Sequence, residues 1–192
     1  MKILPAFPVR VIAISIAGLL GVVTSALSEP TRIANGPLAE SLAAVARLVE
    51  SHSPDSLCTV MLREGERLRV GAAPSLPHDY CEAIHGISIG PCVGSCGTAA
   101  YTGEPFYVED LATHPHWAAF RDLAVSKFGL RACWSTPIRS YEGQVIATFA
   151  MYYQTPKLPT LRERKLIDFS SHLVAIAVNR HRDRAALSAS QS

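Results

Sequence analysis

The sequence predicts an α+β fold, an α/β sandwich in which an antiparallel sheet carries helices on its faces. Three observations support this class. Two predicted β-hairpins flank an irregular middle segment, and an amphipathic helix lies at each end of this block. The segment Gln144 to Tyr153 has two apolar faces, which is typical of a central strand covered on both sides. The 192 residues, of which 48% are apolar, suffice for one domain with a real core.

The first helix is predicted to begin at Pro37, because proline suits the first helical position. It ends before Ser53-Pro54-Asp55, a triplet of turn-forming residues. Apolar side chains at helical spacing form its buried stripe: Leu38, Leu42, Val45 and Val49.

A β-hairpin and a short helix follow. The strands are predicted at Leu57 to Leu62 and Arg67 to Ala72, and Glu64-Gly65 makes the turn between them. The pattern of Leu76 to Ile84 favours a short helix. Gly86 to Gly97 is rich in glycine and is expected to be an ordered loop.

The irregular middle of the chain contains short elements only. Thr98 to Thr102 is expected to form a helical turn, and Pro105 to Val108 a short strand. His114 to Phe128 is expected to form a helix or two short turns, which Pro115 can start and Gly129 can cap.

The second hairpin and the last helix complete the block. Ala132 to Ile138 and the long strand already described are joined by Tyr141-Glu142-Gly143. Thr160 and Glu163 form a capping box at the start of the last helix. A narrow apolar seam follows at steps of three and four residues, suited to packing on the sheet, to a dimer contact, or to both: Leu166, Phe169, Leu173 and Ile176.

The N-terminal residues 1–36 are expected to lie outside the folded domain, which spans residues 37–184 and precedes a disordered tail at 185–192. Val11 to Leu27 is an almost unbroken apolar run after Lys2 and Arg10. It fits a membrane anchor, a signal peptide or a start assigned too early, and these three interpretations stay open. The first two would carry the domain outward; otherwise a cytoplasmic location is favoured.

The five cysteines do not indicate a disulfide-stapled scaffold, because their number is odd and the domain is not disulfide-dense. Cys58 and Cys133 lie in apolar runs, where cysteine behaves as a small buried hydrophobe. Cys92 and Cys96 lack the second short-spaced pair that a structural zinc site usually shows. The net charge of +2, without a basic stripe, argues against a nucleic-acid partner.

Three stretches carry a family resemblance. They are Gly86 to Ala100 (GISIGPCVGSCGTAA), Glu109-Asp110, and Arg131 to Ile138 (RACWSTPI), and Gly71 to Pro77 adds a fourth. Together they resemble the GAF family, the small-molecule sensor domains of bacterial histidine kinases, cyclase regulators and phytochromes. The resemblance covers about Leu38 to Arg180, nearly all of the chain after the linker.

The resemblance implies a six-stranded antiparallel sheet with the N- and C-terminal helices on one face and a pocket on the other. The glycine-rich loop would border that pocket, where its backbone can approach a ligand closely. The residues expected to line the pocket are Cys96, Thr98, Tyr101, Trp117, Phe120, Cys133 and Trp134.

The function predicted from these residues is a stand-alone sensory module, of the kind used in two-component signalling. It would bind an unknown small molecule, or report redox state through a disulfide between Cys92 and Cys96, and signal through its terminal helices to a separate protein. It would pair with a second copy through the same helices. No catalytic residue is assigned, and no metal, haem or bilin cofactor is indicated, so the ligand stays unknown.

Two alternatives remain beside the sensor. One GAF branch, the free methionine-(R)-sulfoxide reductases, has a loop similar to Gly94 to Ala99, and its nucleophilic cysteine falls after the position of Asp110. The segment His114 to Leu130 contains no cysteine, and Phe120 stands about where one is needed. The other alternative is a structural dimerisation domain with a filled, vestigial pocket.

Overall fold

The structure is a computed structural model that describes residues 38–190. The expectations for Val11 to Leu27, for the rest of residues 1–37 and for residues 191–192 lie outside the described residues. Within residues 38–190, none of the helices combines the length and apolar character that a membrane crossing needs.

Residues 38–190 form four α-helices and six strands. The helices are α1 (Leu38–His52), α2 (His78–Ile84), α3 (Gly94–Thr102) and α4 (Leu161–Ser190). The strands are β1 (Leu57–Glu64), β2 (Arg67–Ala72), β3 (Ile87–Ser88), β4 (Phe106–Val108), β5 (Ala132–Arg139) and β6 (Val145–Tyr153).

The strands form one six-stranded antiparallel sheet in the order β3-β2-β1-β6-β5-β4. The predicted α+β class is therefore confirmed. Strand β6 lies between β1 and β5, and all nine of its residues are buried, as its two apolar faces predict. Because alternate residues of β6 point to opposite faces, this strand connects the two halves of the core.

One face of the sheet, called the helix face here, is covered by α1 and α4. Leu42, Val45 and Val49 of α1 and Ile167 and Val174 of α4 are buried there. They pack on alternate side chains of the central strands, among them Cys58, Val60, Trp134, Phe149, Met151 and Tyr153. The seam predicted on α4 lies beside this contact, since Leu166, Phe169 and Leu173 are half-buried and Ile176 is exposed.

The start of α4 has the predicted capping box. The backbone N–H of Thr160 donates to Oε2 of Glu163 at 2.9 Å, and the Glu163 N–H donates to Oγ1 of Thr160 at 3.3 Å. The disordered tail expected from residue 185 is wrong for residues 185–190, which continue α4 as exposed helix. Alanine and leucine favour a helix there, and glycine and proline are absent from this stretch.

The opposite face of the sheet, called the cavity face here, is covered by α2, α3 and short turns. A 3₁₀ turn at Pro115–Trp117 and a π-helical turn at Asp122–Lys127 match the alternative of two short turns. Helix α3 begins at Gly94, well before the predicted turn, so the last four residues of the glycine-rich loop, Gly94 to Gly97, are helical. Gly97 makes this possible, because a Cβ there would lie 2.9 Å from the backbone oxygen of Ser88 in β3.

Candidate functional site

A small, partly open cavity lies between the first turn of α3, helix α2 and the central strand β6. Its volume is about 20 Å³, which is room for about one water molecule. Its walls are aromatic, aliphatic and small polar residues: Tyr80, Ile84, Ile87, Val93, Gly94, Ser95, Cys96, Trp117, Phe120 and Tyr152. No acidic or basic side chain is among these lining residues, so the cavity is suited to a neutral molecule.

Three aromatic rings hold the wall of the cavity in place. Tyr152 contacts Tyr80 edge-on at a centroid distance of 5.7 Å and Trp117 edge-on at 6.4 Å. Burial raises the pKa of both tyrosines well above the ordinary value, so their hydroxyls stay protonated. The site therefore gains hydrogen-bonding groups from these side chains without gaining charge.

A chain of hydrogen bonds ties the 3₁₀ turn, α3 and β5 together. The indole N–H of Trp117 donates to the hydroxyl of Ser95 at 3.1 Å, and that hydroxyl donates to the carbonyl of Cys133 at 3.3 Å. Gly94, with φ +54°, brings its backbone against the Trp117 ring. The glycine-cysteine loop thus does border the cavity.

Cys96 and Cys133 are neighbours where α3 packs on β5, and both belong to the same buried cluster. Cys96 is 3% exposed and Cys133 is fully buried. The neighbouring Cys133 thiol lowers the pKa of Cys96, whereas burial raises the pKa of Cys133. Of the two thiols, Cys96 therefore loses its proton first.

Three buried hydroxyls lie on the cavity face around Ala150 of β6. Ser135 of β5 and Thr59 of β1 are both paired with Ala150 across the sheet, and Thr148 is the next residue of β6 on this face. All three side chains are fully buried, and none has a hydrogen-bond partner among residues 38–190. Ser135 and Thr148 lie close enough to the sulfur of Cys96 to lower its pKa, but neither meets the geometry of a hydrogen bond.

Cys96 thus belongs to both parts of the site. Its side chain lines the cavity and also covers two of the unpartnered hydroxyls, those of Ser135 and Thr148. We call the cavity and the three hydroxyls together the sub-helical site.

The structure brings together part of the predicted pocket. Cys96, Trp117 and Phe120 line the cavity, and Cys133 lies directly beneath Cys96. Thr98 is buried but outside the cavity, with its hydroxyl 3.4 Å from a ring nitrogen of His116.

Tyr101 and Trp134, also predicted as pocket residues, lie elsewhere. Tyr101 is 60% exposed and lines an open polar groove of about 570 Å³ at the far end of α3. In this groove Arg139 donates to the carbonyls of Gly103 and Gly143. Trp134 is on the helix face, because strand residues alternate and its neighbour Cys133 occupies the cavity face.

The two cysteines predicted as a redox pair differ in their surroundings. Cys92 is exposed in the turn before α3, whereas Cys96 is buried beneath that helix. The neighbouring thiol of Cys96 is that of Cys133. A disulfide between Cys92 and Cys96 stays a prediction that these positions do not favour.

The sequence interpretation missed several lining residues, chiefly Tyr80, Ser95 and Tyr152. Tyr152 had a usable signal, because it alternates with Tyr153 on a strand predicted to be central. Tyr80 had none, since only the tertiary packing of α2 brings it to the sheet. Among the described residues, no group of three or more histidine, cysteine or acidic side chains could hold a metal ion.

Two adjacent residue pairs link the sub-helical site to the helix face. Tyr152 lines the cavity, and the hydroxyl of Tyr153 lies 3.1 Å from the hydroxyl of Ser53, just after α1, and 3.1 Å from Glu163 in α4. Cys133 is a neighbour of Cys96, and the ring of Trp134 packs on that of Tyr153 with centroids 4.5 Å apart. A shift at the cavity therefore has a short path to both terminal helices.

This arrangement, a six-stranded sheet with terminal helices on one face and a small cavity on the other, is the α+β sandwich of small sensor domains. The sequence model of the GAF domain family matches residues 37–179, and the chain belongs to this family. A curated relative, the methyl sulfide methyltransferase-associated sensor of Methanosarcina acetivorans, is 38% identical over 164 residues. The match covers 84% of this chain but only 16% of that relative's length.

Solved structures share the fold. A protein from Burkholderia vietnamiensis assigned as a GAF sensor has a TM-score of 0.68 at 20% identity, over 88% of this chain and 99% of that one. The free methionine-R-sulfoxide reductase of Neisseria meningitidis, solved in complex with its substrate, has a TM-score of 0.65 at 14% identity, over 81% and 86%. These identities are low, so the likenesses show the fold alone.

Proposed function

We propose that this domain senses a small neutral molecule, which binds in the sub-helical site and acts on the terminal helices. One observation carries the proposal: the three fully buried hydroxyls of Thr59, Ser135 and Thr148 have no partner among the described residues, and Cys96, a neighbour of two of them, lines a cavity. A buried hydroxyl without a hydrogen bond lowers the stability of the folded state by roughly 1–3 kcal/mol. Three such hydroxyls together are therefore not explained by packing of the core.

The walls of the site limit the ligand. Its lining contains no aspartate, glutamate, lysine, arginine or histidine, and four of its residues are aromatic: Tyr80, Trp117, Phe120 and Tyr152. An anion or a cation would lose its hydration there without gaining an opposite charge. The ligand class that fits is a compact, uncharged molecule with at least one hydrogen-bonding group, which the hydroxyls would meet.

Binding must open the site, because the cavity has room for about one water molecule. The elements above it are α2, with Tyr80 and Ile84, and the segment Ile87 to Val93. A larger ligand would displace one of them or move α3 away from β5. The ligand then favours the open state to the extent that it binds that state more tightly.

The output would pass along β6 to α1 and α4. Tyr152 and Tyr153 are consecutive and point to opposite faces. A displacement of β6 at the cavity would therefore also displace the Tyr153 hydroxyl relative to its two partners, Ser53 and Glu163. The described residues hold no separate output domain, and the receiving protein or segment is part of the proposal. The curated relative is named a sensor, which supports a signalling role for this domain.

The test is native mass spectrometry of the chain purified from its own host, together with a Thr148→Val variant. We expect a retained small molecule on the wild-type chain and its loss from Thr148→Val, which keeps the side-chain shape and removes one hydroxyl. Thr136→Val is the matched control. Thr136 lies in β5, the strand next to β6, and its hydroxyl lies near the Tyr107 hydroxyl instead. This control should retain the molecule.

Two outcomes would contradict the proposal. A chain that carries no molecule and gains no thermal stability from any compound in a neutral-metabolite screen would support a structural domain instead. Turnover of free methionine-(R)-sulfoxide that disappears in Cys96→Ser would show an enzyme.

A further inference from the structure

Two buried thiols, those of Cys96 and Cys133, are neighbours on the cavity face, and the proposed ligand needs neither as a nucleophile. Cys96 belongs to α3 and Cys133 to β5. The other three described cysteines are elsewhere: Cys58 is buried on the helix face, Cys81 is half-buried in α2, and Cys92 is exposed. The backbone around the pair is fixed, because the Ser95 hydroxyl donates to the Cys133 carbonyl at 3.3 Å.

The two thiols differ in a way that assigns them separate tasks. Cys96 ionises first, because the Cys133 thiol and then the Ser135 and Thr148 hydroxyls stabilise its negative charge. Cys133 stays protonated, since burial raises its pKa. A thiolate is the nucleophile in thiol chemistry, so Cys96 is the attacking group and Cys133 the group that follows.

The cavity limits which reagents can reach the pair. Cys96 forms part of its wall, and the volume of about 20 Å³ admits a molecule close to the size of water. Bulky alkylating reagents are too large to enter without opening the domain. Hydrogen peroxide is small, uncharged and hydrogen-bonding, which are the properties that the site favours.

We propose that Cys96 and Cys133 form a buried dithiol site that hydrogen peroxide oxidises to a disulfide. In the first step the Cys96 thiolate attacks one peroxide oxygen: an S–O bond forms, the O–O bond breaks, and the departing hydroxide takes up a proton to give water. In the second step the Cys133 sulfur attacks the Cys96 sulfur: the S–S bond forms, the S–O bond breaks, and the hydroxyl leaves as water with the Cys133 proton. Two thiols are oxidised and one peroxide is reduced to two waters.

The disulfide would lock α3 onto β5 directly beside Trp134. The sub-helical site would then stay closed, and the strand position that carries Trp134 to the helix face would be fixed. This inference goes beyond the proposed function because it requires no bound ligand. Either proposal can therefore fail while the other holds.

Tryptic mapping of the full chain tests the inference, because the cleavage sites separate the candidate pairs. Cys81, Cys92 and Cys96 fall in one peptide, Val70 to Arg121, and Cys133 falls in another, Ala132 to Arg139. After peroxide treatment, blocking with N-ethylmaleimide in denaturant and digestion without reductant, we expect these two peptides to be joined and lighter by two hydrogens. A loop within the first peptide, or no link at all, would overturn the proposal.

A Cys92→Ser variant assigns the link without touching either proposed cysteine. Added cleavage after glutamate releases Ala83 to Glu109, in which Cys96 is then the only cysteine. Its attachment to the Cys133 peptide confirms the pair, and a link through Cys81 instead contradicts it. On the native reduced protein, N-ethylmaleimide should modify Cys92 and leave Cys96 and Cys133 free; rapid modification of Cys96 would show that the site is not size-selective.

Discussion

The indole N–H of Trp117 donates to Oγ of Ser95 at 3.1 Å, in a position where the Trp117 side chain is 4% exposed. Ser95 in turn donates to the carbonyl of Cys133. A single serine hydroxyl therefore connects the 3₁₀ turn, the start of α3 and strand β5. These three elements enclose one side of the cavity, so their relative positions depend on this hydroxyl.

Ser95→Ala is expected to lower the free energy of unfolding by about 1–3 kcal/mol, because it leaves the buried Trp117 N–H without an acceptor. Urea denaturation of Ser95→Ala, Trp117→Phe and the double variant measures this cost. The double variant should lose less than the sum of the single variants, since they remove the same bond. Strictly additive losses would show that the bond contributes nothing.

Gly97→Ala is expected to destabilise the domain by about 1–3 kcal/mol through overpacking. The new Cβ would lie 2.7 Å from Cβ of Val93 and 2.9 Å from the Ser88 carbonyl oxygen, and backbone cannot move aside cheaply. In an open helix the same substitution would stabilise by roughly 0.5–1 kcal/mol. The sign of the change in denaturation midpoint therefore distinguishes overpacking from an open helix. A more stable variant would refute the close approach of α3 and β3.

Thr59→Val is expected to raise the free energy of unfolding, by about 1 kcal/mol. Thr59 is fully buried with an unpartnered hydroxyl, so the methyl group removes a desolvation cost and leaves the shape nearly unchanged. Differential scanning calorimetry of Thr59→Val and of Thr136→Val, whose hydroxyl has a neighbour in Tyr107, gives the comparison. A loss of stability in Thr59→Val would mean that its hydroxyl is satisfied in solution.

Asp110→Asn is expected to destabilise the domain at neutral pH but not in acid. Two hydrogen bonds from Arg131, at 2.8 and 3.0 Å, hold the pKa of the Asp110 carboxyl below its ordinary value, and the Ala112 N–H adds to the effect. A carboxylate with a depressed pKa stabilises the folded state above its unfolded pKa of about 3.9, and this stabilisation is lost as the pH falls through the folded pKa. The urea midpoints of the wild type and of Asp110→Asn should converge at pH values below the folded pKa of Asp110. A difference between the midpoints that does not change with pH would contradict the ion pair.

The terminal helices are expected to pair two copies of the chain. Ile176 is 43% exposed and continues the half-buried seam of Leu166, Phe169 and Leu173 on α4. Sedimentation equilibrium should show a dimer for the wild type and a monomer for Ile176→Glu. Leu161→Glu, at a site that is 72% exposed outside the seam, should stay dimeric. A wild-type monomer at high concentration would refute the pairing.

The regular elements were predictable because their patterns are local. The alternation in β6 and the capping box of Thr160 and Glu163 both follow from neighbouring residues, and both are confirmed. The start of α3 was not predictable in this way. Its glycines favour a loop by propensity, but packing of Gly97 against β3 and burial of Cys96 stabilise a helix instead.

The candidate site was predictable only in part, for a physical reason. The residues near the glycine-rich loop could be assigned to a pocket, but a buried strand with two apolar faces does not reveal which residues point to which side. Trp134 was therefore placed in the pocket, and Cys133 was not recognised as the neighbour of Cys96. The hydroxyls of Thr59, Ser135 and Thr148 come together through strand pairing across the sheet, which single-strand patterns do not contain.

The chain's two tryptophans lie on opposite faces of the sheet, Trp117 against the cavity and Trp134 beneath the terminal helices. Each is therefore a natural optical probe of a different half of the molecule. With Trp134→Phe the remaining fluorescence reports the cavity, and with Trp117→Phe it reports the helix layer. The delay between the two emission changes after rapid mixing would time how fast a disturbance crosses the sheet.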